Sequence, residues 1–598
     1  MKNLLGYLKN YKKETILAPL FKLLEASFEL LVPLVMASVI DRGIGGNQTD
    51  YIVKMCLVLV LLGVVGLACS ITAQYFAAKA AVGFAARLRH ALFEHIQSLS
   101  FSGIDTIGTS TLITRMTNDV NQVQSGMNLA LRLLLRSPFV VFGSVAMAFT
   151  VNPKAALIFA VTVPLLMVLV FGIMLVNIPL YKKVQAKLDG VLSLTRENLT
   201  GVRVIRAFHR EEEEIRDFSG RNQELTGIQL FAGRVSALMN PLTYVVVNGA
   251  VVLLLRRGAR QVYEGGLTQG ELVALVNYMT QILVELIKMA SLIISITKAI
   301  ASGNRIQGIL EIPSGPDRDG DKSREDLACT EGIGAGQTDA GTPKIIFDHV
   351  GLTYHEGGEE ALSDLTFSIE KGQTVGIIGG TGSGKTSLVH LIPRFYDVTR
   401  GRVLVDGVDV RACAPEELRR KVGIVMQKAV LFQGSIRENL LWGDPDADRA
   451  VLEQALEASQ SMEFVREKEG GMDFQVSQGG KNLSGGQRQR LSIARALTRR
   501  PEILILDDSA SALDFATESR LRRAIRELGD ETTVLIVSQR ISSIQHADQI
   551  IVLDDGQAVG IGTHEQLLAD CQVYREIFET QVSGREAGGV RGDKEVSE

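Results

Sequence analysis

Long uncharged, apolar runs dominate the first half of the chain and restrict it more than any other feature. No charged residue lies between Lys54 and Lys79, between Lys154 and Lys182, or between Arg234 and Arg256. Each run matches or exceeds the roughly 20 residues an α-helix needs to cross the hydrocarbon core of a bilayer. Three weaker segments complete the set, at about Leu17–Ile40, Leu129–Thr150 and Leu272–Thr297. The expectation is an all-α membrane domain over 1–310 with six spans, at about 17–40, 55–78, 129–150, 155–179, 235–256 and 272–297. Soluble cores rarely need several uncharged stretches of this length, and helices apolar on all sides suit lipid. Met1–Lys13 carries Lys2, Lys9, Lys12 and Lys13 but no compact apolar region with a small-residue cleavage site. It reads as a short interfacial helix rather than a signal peptide.

Basic residues orient the spans. Lys9, Lys12 and Lys13 precede the first; Arg87, Arg89 and Arg115 lie between the second and third; Lys182, Lys183 and Lys187 follow the fourth. Placing these inside leaves both termini cytoplasmic, with Arg256, Arg257 and Arg260 as an exception outside. The inner segments, about Ala80–Met127 and Leu180–Asn240, are too long and too helical in pattern for simple turns. The spanning helices are therefore expected to continue into the cytoplasm and turn back there. Several charges fall inside spans: Glu25 and Glu29, Arg132 and Arg136, Glu285 and Lys288. Charges at that depth face a bundle interior or a wet cavity. Two readings stand: pairing between helices and between Glu285 and Lys288, or a polar cavity that handles a substrate.

Overall charge narrows the partners. With 63 Lys+Arg against 67 Asp+Glu the formal net charge is -4, which excludes a globally basic nucleic-acid binder. Five scattered cysteines, without a CxxC pair, and eight histidines without a ligand pattern predict reduced thiols and no transition-metal site.

The second half changes character. Residues 311–343 read as a linker, rich in Pro, Gly, Asp, Ser and Thr. Beyond it, β-rich runs alternate with helices: Lys344–Val350, Thr374–Ile378, Arg402–Val405, Val422–Met426, Ile503–Leu506, Thr533–Val537 and Gln549–Leu553. That alternation predicts an α/β domain over 344–580 with a largely parallel sheet, and a flexible tail over 581–598. Gly379-Gly380-Thr381-Gly382-Ser383-Gly384-Lys385-Thr386, with Ser387 behind it, follows an apolar strand and fits GxxxxGK[ST]. Glycines let backbone N–H groups wrap phosphates, Lys385 is placed for the β- and γ-phosphates, and the Thr386 hydroxyl for Mg²⁺. Asp507 ends an apolar strand, as an acid that holds the Mg²⁺ shell would. Leu483-Ser484-Gly485-Gly486-Gln487 opens a long helix, over Gln487–Thr498, with Ser484 as its cap.

Together these motifs resemble the ATP-binding cassette (ABC) family, in which LSGGQ is the signature that completes an ATP site across a dimer interface. The resemblance covers nearly the whole chain and implies the half-transporter layout of ABC exporters: six spans, then one P-loop nucleotide-binding domain. It implies roles for Tyr354, stacking on adenine, for Gln427, touching Mg²⁺ in the Q-loop, and for Asp514 in the D-loop Ser511-Ala512-Leu513-Asp514. The cytoplasmic turns near Ser102–Ser110 and Phe208–Asp217 are implied to be coupling helices. ATP and Mg²⁺ are the implied cofactors.

Two positions depart from the family's pattern. Asp508 stands where a catalytic Glu orients the attacking water, and Gln539 where a switch His contacts the γ-phosphate. Asp is one methylene short, and Gln neither carries charge nor shuttles a proton. Ser477-Gln478 before Gly479 is a smaller departure. The chain is thus similar to the degenerate-site subunit of bacterial heterodimeric multidrug exporters. That implies a partner subunit carrying the Glu and the His, hydrophobic or amphipathic cargo, a multi-pass place in the cell membrane, and no nucleic-acid partner. The alternatives are a homodimeric lipid or peptide exporter and a regulatory nucleotide-binding subunit. A soluble DNA-repair or condensin-type ATPase shares the signature but not six lipid-length helices.

Overall fold

A computed structural model describes residues 4–313, 315, 343–354, 357–509, 513–527 and 531–589, with side chains described through 581. Most of the expected linker and the end of the expected tail lie outside these residues. The chain divides into two compact units: Met1–Gln97 with Thr109–Ile312, and Ser98–Gly108 with Pro313–Glu598.

The first unit is all helix: α1 (Lys12–Ser38), α2 (Thr49–Gln97), then, after the short α3 (Phe101–Ile107) of the second unit, α4 (Thr109–Thr114), α5 (Val120–Leu133), α6 (Arg136–Val151), α7 (Pro153–Thr200), α8 (Val202–Ala207), α9 (Glu211–Ala237), α10 (Met239–Tyr263) and α11 (Gln269–Leu310). Among the described residues, six helical stretches are long and apolar enough to cross a membrane, each of 41 to 53 residues. At about 1.5 Å per residue they reach roughly 60–80 Å, twice the hydrocarbon thickness, so they extend well beyond it. The apolar window of Thr49–Gln97 is only 6% buried within the chain, which fits a lipid-facing surface rather than a soluble core. Leu4–Tyr11 forms a 3₁₀-helix ahead of α1.

The third span is continuous but kinked between α5 and α6, where Leu134 and Leu135 keep helical angles. Pro138 explains the kink, since it lacks an N–H and its ring clashes with the carbonyl of Leu134. Arg136, just beyond the kink, is paired. Arg136, with an 8% exposed side chain, donates to Glu285 Oε1 at 2.7 Å and to Glu29 Oε2 at 2.6 Å. Lys288 donates to the same Glu285 oxygen at 2.9 Å. Glu25 pairs instead with Lys22, a buried charge inside the first span that the sequence pattern does not single out. Backbones approach closely nearby: a Cβ added at Gly126 of α5 would lie 2.2 Å from the Ala299 Cβ of α11.

In the second unit the strands are β1 (Ile345–Leu352), β2 (Leu362–Ile369), β3 (Thr374–Gly379), β4 (Arg400–Val405), β5 (Val408–Asp409), β6 (Val422–Val425), β7 (Gly434–Ser435), β8 (Gln475–Val476), β9 (Ile503–Asp507), β10 (Thr533–Val537), β11 (Gln549–Asp554) and β12 (Gln557–Gly562). The main sheet runs β12-β11-β3-β10-β9-β6, parallel except for the antiparallel edge β12. β9 and β10 are buried along their whole length, as strands covered on both faces must be. One correction concerns the runs at Lys344–Val350 and Arg402–Val405. They join β2 and β5 in a separate antiparallel sheet, β2-β1-β4-β5. The signature helix begins at Gly485, two residues earlier than expected. The last helix, Gln572–Gly589, runs on into the stretch expected to be a flexible tail.

Candidate nucleotide site

The main sheet gathers the site. Val537 of β10 pairs with Ile377 of β3 on one side and Asp507 of β9 on the other, so three parallel strands end level. The segments leaving their carboxyl ends therefore meet in one crevice. Tyr354, Ala361, Thr381, Gly382, Gly384, Lys385, Thr386, Ser387, Gln427, Asp507, Asp508, Val537, Ser538 and Gln539 line a cavity of about 310 Å³.

The glycine loop meets a backbone demand. Gly384, at φ 91°, caps the helix that starts at Lys385, a conformation side chains strongly resist. A Cβ there would also stand 2.7 Å from the Ala361 carbonyl. Lys385 is buried and curls back over the loop, its Nζ donating to the Gly379 oxygen at 3.0 Å and to Gly380. Burial pushes its ammonium below the usual lysine range, against the pull of Asp508 and Asp507. A buried cation with its donors turned onto carbonyls can exchange them for phosphate oxygens.

The acids sit opposite. Thr386 Oγ1 donates to Asp507 Oδ1 at 3.1 Å. Burial raises Asp507 above the usual carboxylate range, helped by neighbouring Asp508 and opposed by Thr386 and Lys385. Asp508 is raised too, chiefly by burial, while a hydrogen bond from Gln427 and the charges of Arg540 and Lys385 hold it down. Its backbone is left-handed, at φ 45°, and its N–H donates to the Val537 carbonyl at 3.0 Å. Aspartate is among the few non-glycine residues that adopt this conformation readily. A hydroxyl, a carboxylate and an amide oxygen form the hard-oxygen set that Mg²⁺ prefers, so Thr386, Asp507 and Gln427 suit it. Gln539 is exposed, with its carbonyl accepting from Gln581 at 2.8 Å. Tyr354 donates to Ser387 Oγ at 2.7 Å, and the residue is 37% exposed.

The signature residues lie elsewhere: none of Leu483–Gln487 lines the cavity. Leu483 is buried with Leu431, Ile436 and Leu491. Ser484 accepts from the Gln487 N–H at 3.2 Å, and Gln487 Oε1 accepts from the Ser484 N–H at 3.0 Å, a reciprocal cap. Ser484 and Gly485 are exposed, and nothing lies within 4 Å of a Cβ added at Gly485. Asp514 is not brought to the cavity either. It caps the helix Phe515–Arg526, its Oδ1 accepting from the Thr517 N–H at 2.9 Å. That backbone bond and the Thr517 hydroxyl hold its carboxyl below the usual range. Ser511 and Ala512 of the same motif lie outside the described residues. Sequence reasoning missed Ala361, Val537 and Ser538, which line the cavity by position and carry no chemical signal of their own.

Residues 15–286 match the ABC transporter transmembrane region family, and residues 362–511 match the ABC transporter family. The uncharacterized ABC transporter ATP-binding protein YfiB of Bacillus subtilis is 36% identical over 586 residues, spanning 98% of this chain and 99% of that one. The chain belongs to the ABC transporter family. Another Bacillus subtilis relative of this transporter is YgaD, provisionally named a multidrug export ATP-binding/permease protein. It is 32% identical over 596 residues, 97% of this chain and 99% of its own. A bacterial Atm1-family ABC exporter, solved with ATP bound, shares the transporter's fold with a TM-score of 0.75. It covers 95% of this chain and 98% of its own at 22% identity. The transporter is a half-transporter: one membrane domain and one nucleotide-binding domain on a single chain.

Proposed function

We propose that the chain is one half of an ATP-driven exporter that pairs with a different half-transporter, and that its own site binds ATP–Mg²⁺ but hydrolyses it slowly. The observation that carries this is the company Asp508 and Gln539 keep: both line one cavity with Lys385, Thr386 and Asp507. Around bound ATP, the loop Gly379–Thr386 and Ser387 would wrap the phosphates, Lys385 would reach the outer two, and Tyr354 would stack on adenine. Thr386, Gln427 and Asp507 would hold Mg²⁺, which would supply positive charge against the phosphates. Asp508 is the residue left to orient water. A displacement near 1 Å in such a group costs about a hundredfold in rate. Gln539 is left to contact the γ-phosphate without charge or a proton to move.

The exposed Leu483–Gln487 serves the partner's ATP, and Asp514 stands in the loop that accompanies it across the dimer. The partner contributes the catalytic Glu and the switch His. Closure of the two nucleotide-binding domains reaches the membrane through the turns that hold α3 and α8. The second of these places its short helix at Val202–Ala207, just ahead of the expected Phe208–Asp217. Few unpaired charges in the spans, and many Met, Phe and aliphatic residues, suit hydrophobic or amphipathic cargo; the name carried by YgaD points the same way. The chain sits in the cell membrane with its nucleotide-binding domain and both termini cytoplasmic.

The test is co-expression with a second half-transporter and reconstitution in lipid nanodiscs. Asp508→Ala in this chain is expected to leave most ATPase activity, whereas Glu→Gln at the partner's catalytic position removes it. A self-paired dimer hydrolysing rapidly at two equal sites ends the reading.

A further inference from the structure

Helix α3 belongs to the first unit by chain order and to the second by packing. Between α2 and α4 in sequence, it rests against residues that come after the phosphate-loop helix. Phe101 stacks on Phe395 with ring centroids 4.3 Å apart, which already docks the helix. Beside that stack the Tyr396 hydroxyl donates to Asp105 Oδ2 at 2.6 Å. Burial and the Asp105 carboxylate hold the Tyr396 phenol above its usual range, so it stays a donor. On its other side Tyr396 meets Tyr354 edge to face, centroids 5.0 Å apart and planes at 90°.

Tyr354 therefore touches two spaces. It lines the nucleotide cavity, and it also lines a second cavity of about 430 Å³ with Ser102, Asp105, Gly358, Glu359 and Tyr396. A contiguous path runs from the face open to a base, through two aromatic rings, to one charge-assisted hydrogen bond on α3. Each link is a direct contact.

We propose that Tyr396 is a positioning residue that passes occupancy of the adenine position beside Tyr354 to α3 through its hydroxyl bond to Asp105. The inference rests on the reading of Tyr354 as the adenine-stacking residue. A base on the open face of Tyr354 restricts that ring. The edge contact then restricts Tyr396, and the phenol fixes Asp105 and α3 with it. Because α3 lies between α2 and α4, the membrane helices receive the signal directly through the chain.

The test uses the full-length transporter in nanodiscs and hydrogen–deuterium exchange of residues 98–108, with and without a non-hydrolysed ATP analogue and Mg²⁺. Tyr396→Phe keeps the ring and loses the hydroxyl. Asp105→Asn keeps an acceptor, and Asp105→Ala removes it. The analogue is expected to slow exchange over 98–108 in the parent and in Asp105→Asn. That protection is expected to fall about tenfold in Tyr396→Phe and Asp105→Ala, as one charge-assisted bond warrants. The double variant should be no worse than either single one, and analogue affinity should stay within about twofold throughout. Full protection in Tyr396→Phe overturns the proposal. So does a loss of affinity in step with the loss of protection, which would put the hydroxyl inside the nucleotide pocket. If the parent binds no analogue, the reading of the nucleotide site fails first and takes this inference with it. Binding without protection in the parent defeats the inference alone.

Discussion

The second unit presents two surfaces of contrasting build to a nucleotide. Around Lys385 a cavity closes on buried charges, paired acids and a backbone that only particular residues tolerate. At Ser484 and Gly485 there is an exposed helix start, satisfied by its own cap and anchored through Leu483. The first surface has chemistry but carries Asp508 and Gln539 in its working positions. The second has no titratable side chain among Leu483–Gln487 and is free of departures. Under the proposed function, the surface that meets a second subunit keeps the pattern of the family, while the surface that holds this chain's own nucleotide departs from it. Under the proposed function these are halves of two different sites.

Substitutions separate the two surfaces in order of size. Gly485→Asp places a carboxylate where another subunit's phosphates would lie, and like charges in contact cost several kcal/mol. ATPase activity of the assembled dimer is expected to fall on the order of a hundredfold, with this chain's own ATP affinity unchanged in a fluorescent-nucleotide titration. Lys385→Met acts the other way round. Losing one charged donor to phosphate weakens this chain's ATP binding by about ten- to a hundredfold, and the same titration reads it, while the partner's hydrolysis largely persists. Asp508→Glu with Gln539→His sharpens the contrast by repair. Turnover in a dimer whose partner is inactivated should rise about tenfold; no rise means that the drift is not what slows this site.

The smallest effect concerns pH. Burial raises Asp508 above an ordinary carboxylate, so at neutral pH its ionised form is disfavoured by folding. Asp508→Asn removes that penalty and can keep a hydrogen bond to Gln427. The nucleotide-free variant is expected to be more stable than the parent at pH 7. The gap should close as pH falls through the raised carboxylate range, where the parent takes up its proton. Thermal unfolding at several pH values measures it, and a gap that widens on acidification refutes the assignment.

The phosphate loop, the acid at the end of β9 and the six apolar stretches could be read in the sequence because each is a local demand. Gly384 needs a left-handed backbone, Asp507 needs a strand behind it, and a span needs length without charge. The features that escaped depend on neighbours. Runs at β1 and β4 look like any buried strand, and alternation with helices does not say which strand lies beside which. The kink at Leu134 comes from Pro138, four residues on. Lys22 escapes notice in the first span because its partner, Glu25, is read there for pairing between helices and not with a residue three positions away. Asp105 and Tyr396 are 291 residues apart, and neither belongs to a motif.

Arg136 bears on how the chain is made. It bridges carboxylates from the first and the last spans, and these three residues leave the ribosome in the order Glu29, Arg136, Glu285. Until the sixth helix enters the bilayer, the guanidinium has one of its two anions. A half-answered charge in lipid is unfavourable. Arrival of Glu285 completes the bridge, so the last span is the one that satisfies the buried guanidinium.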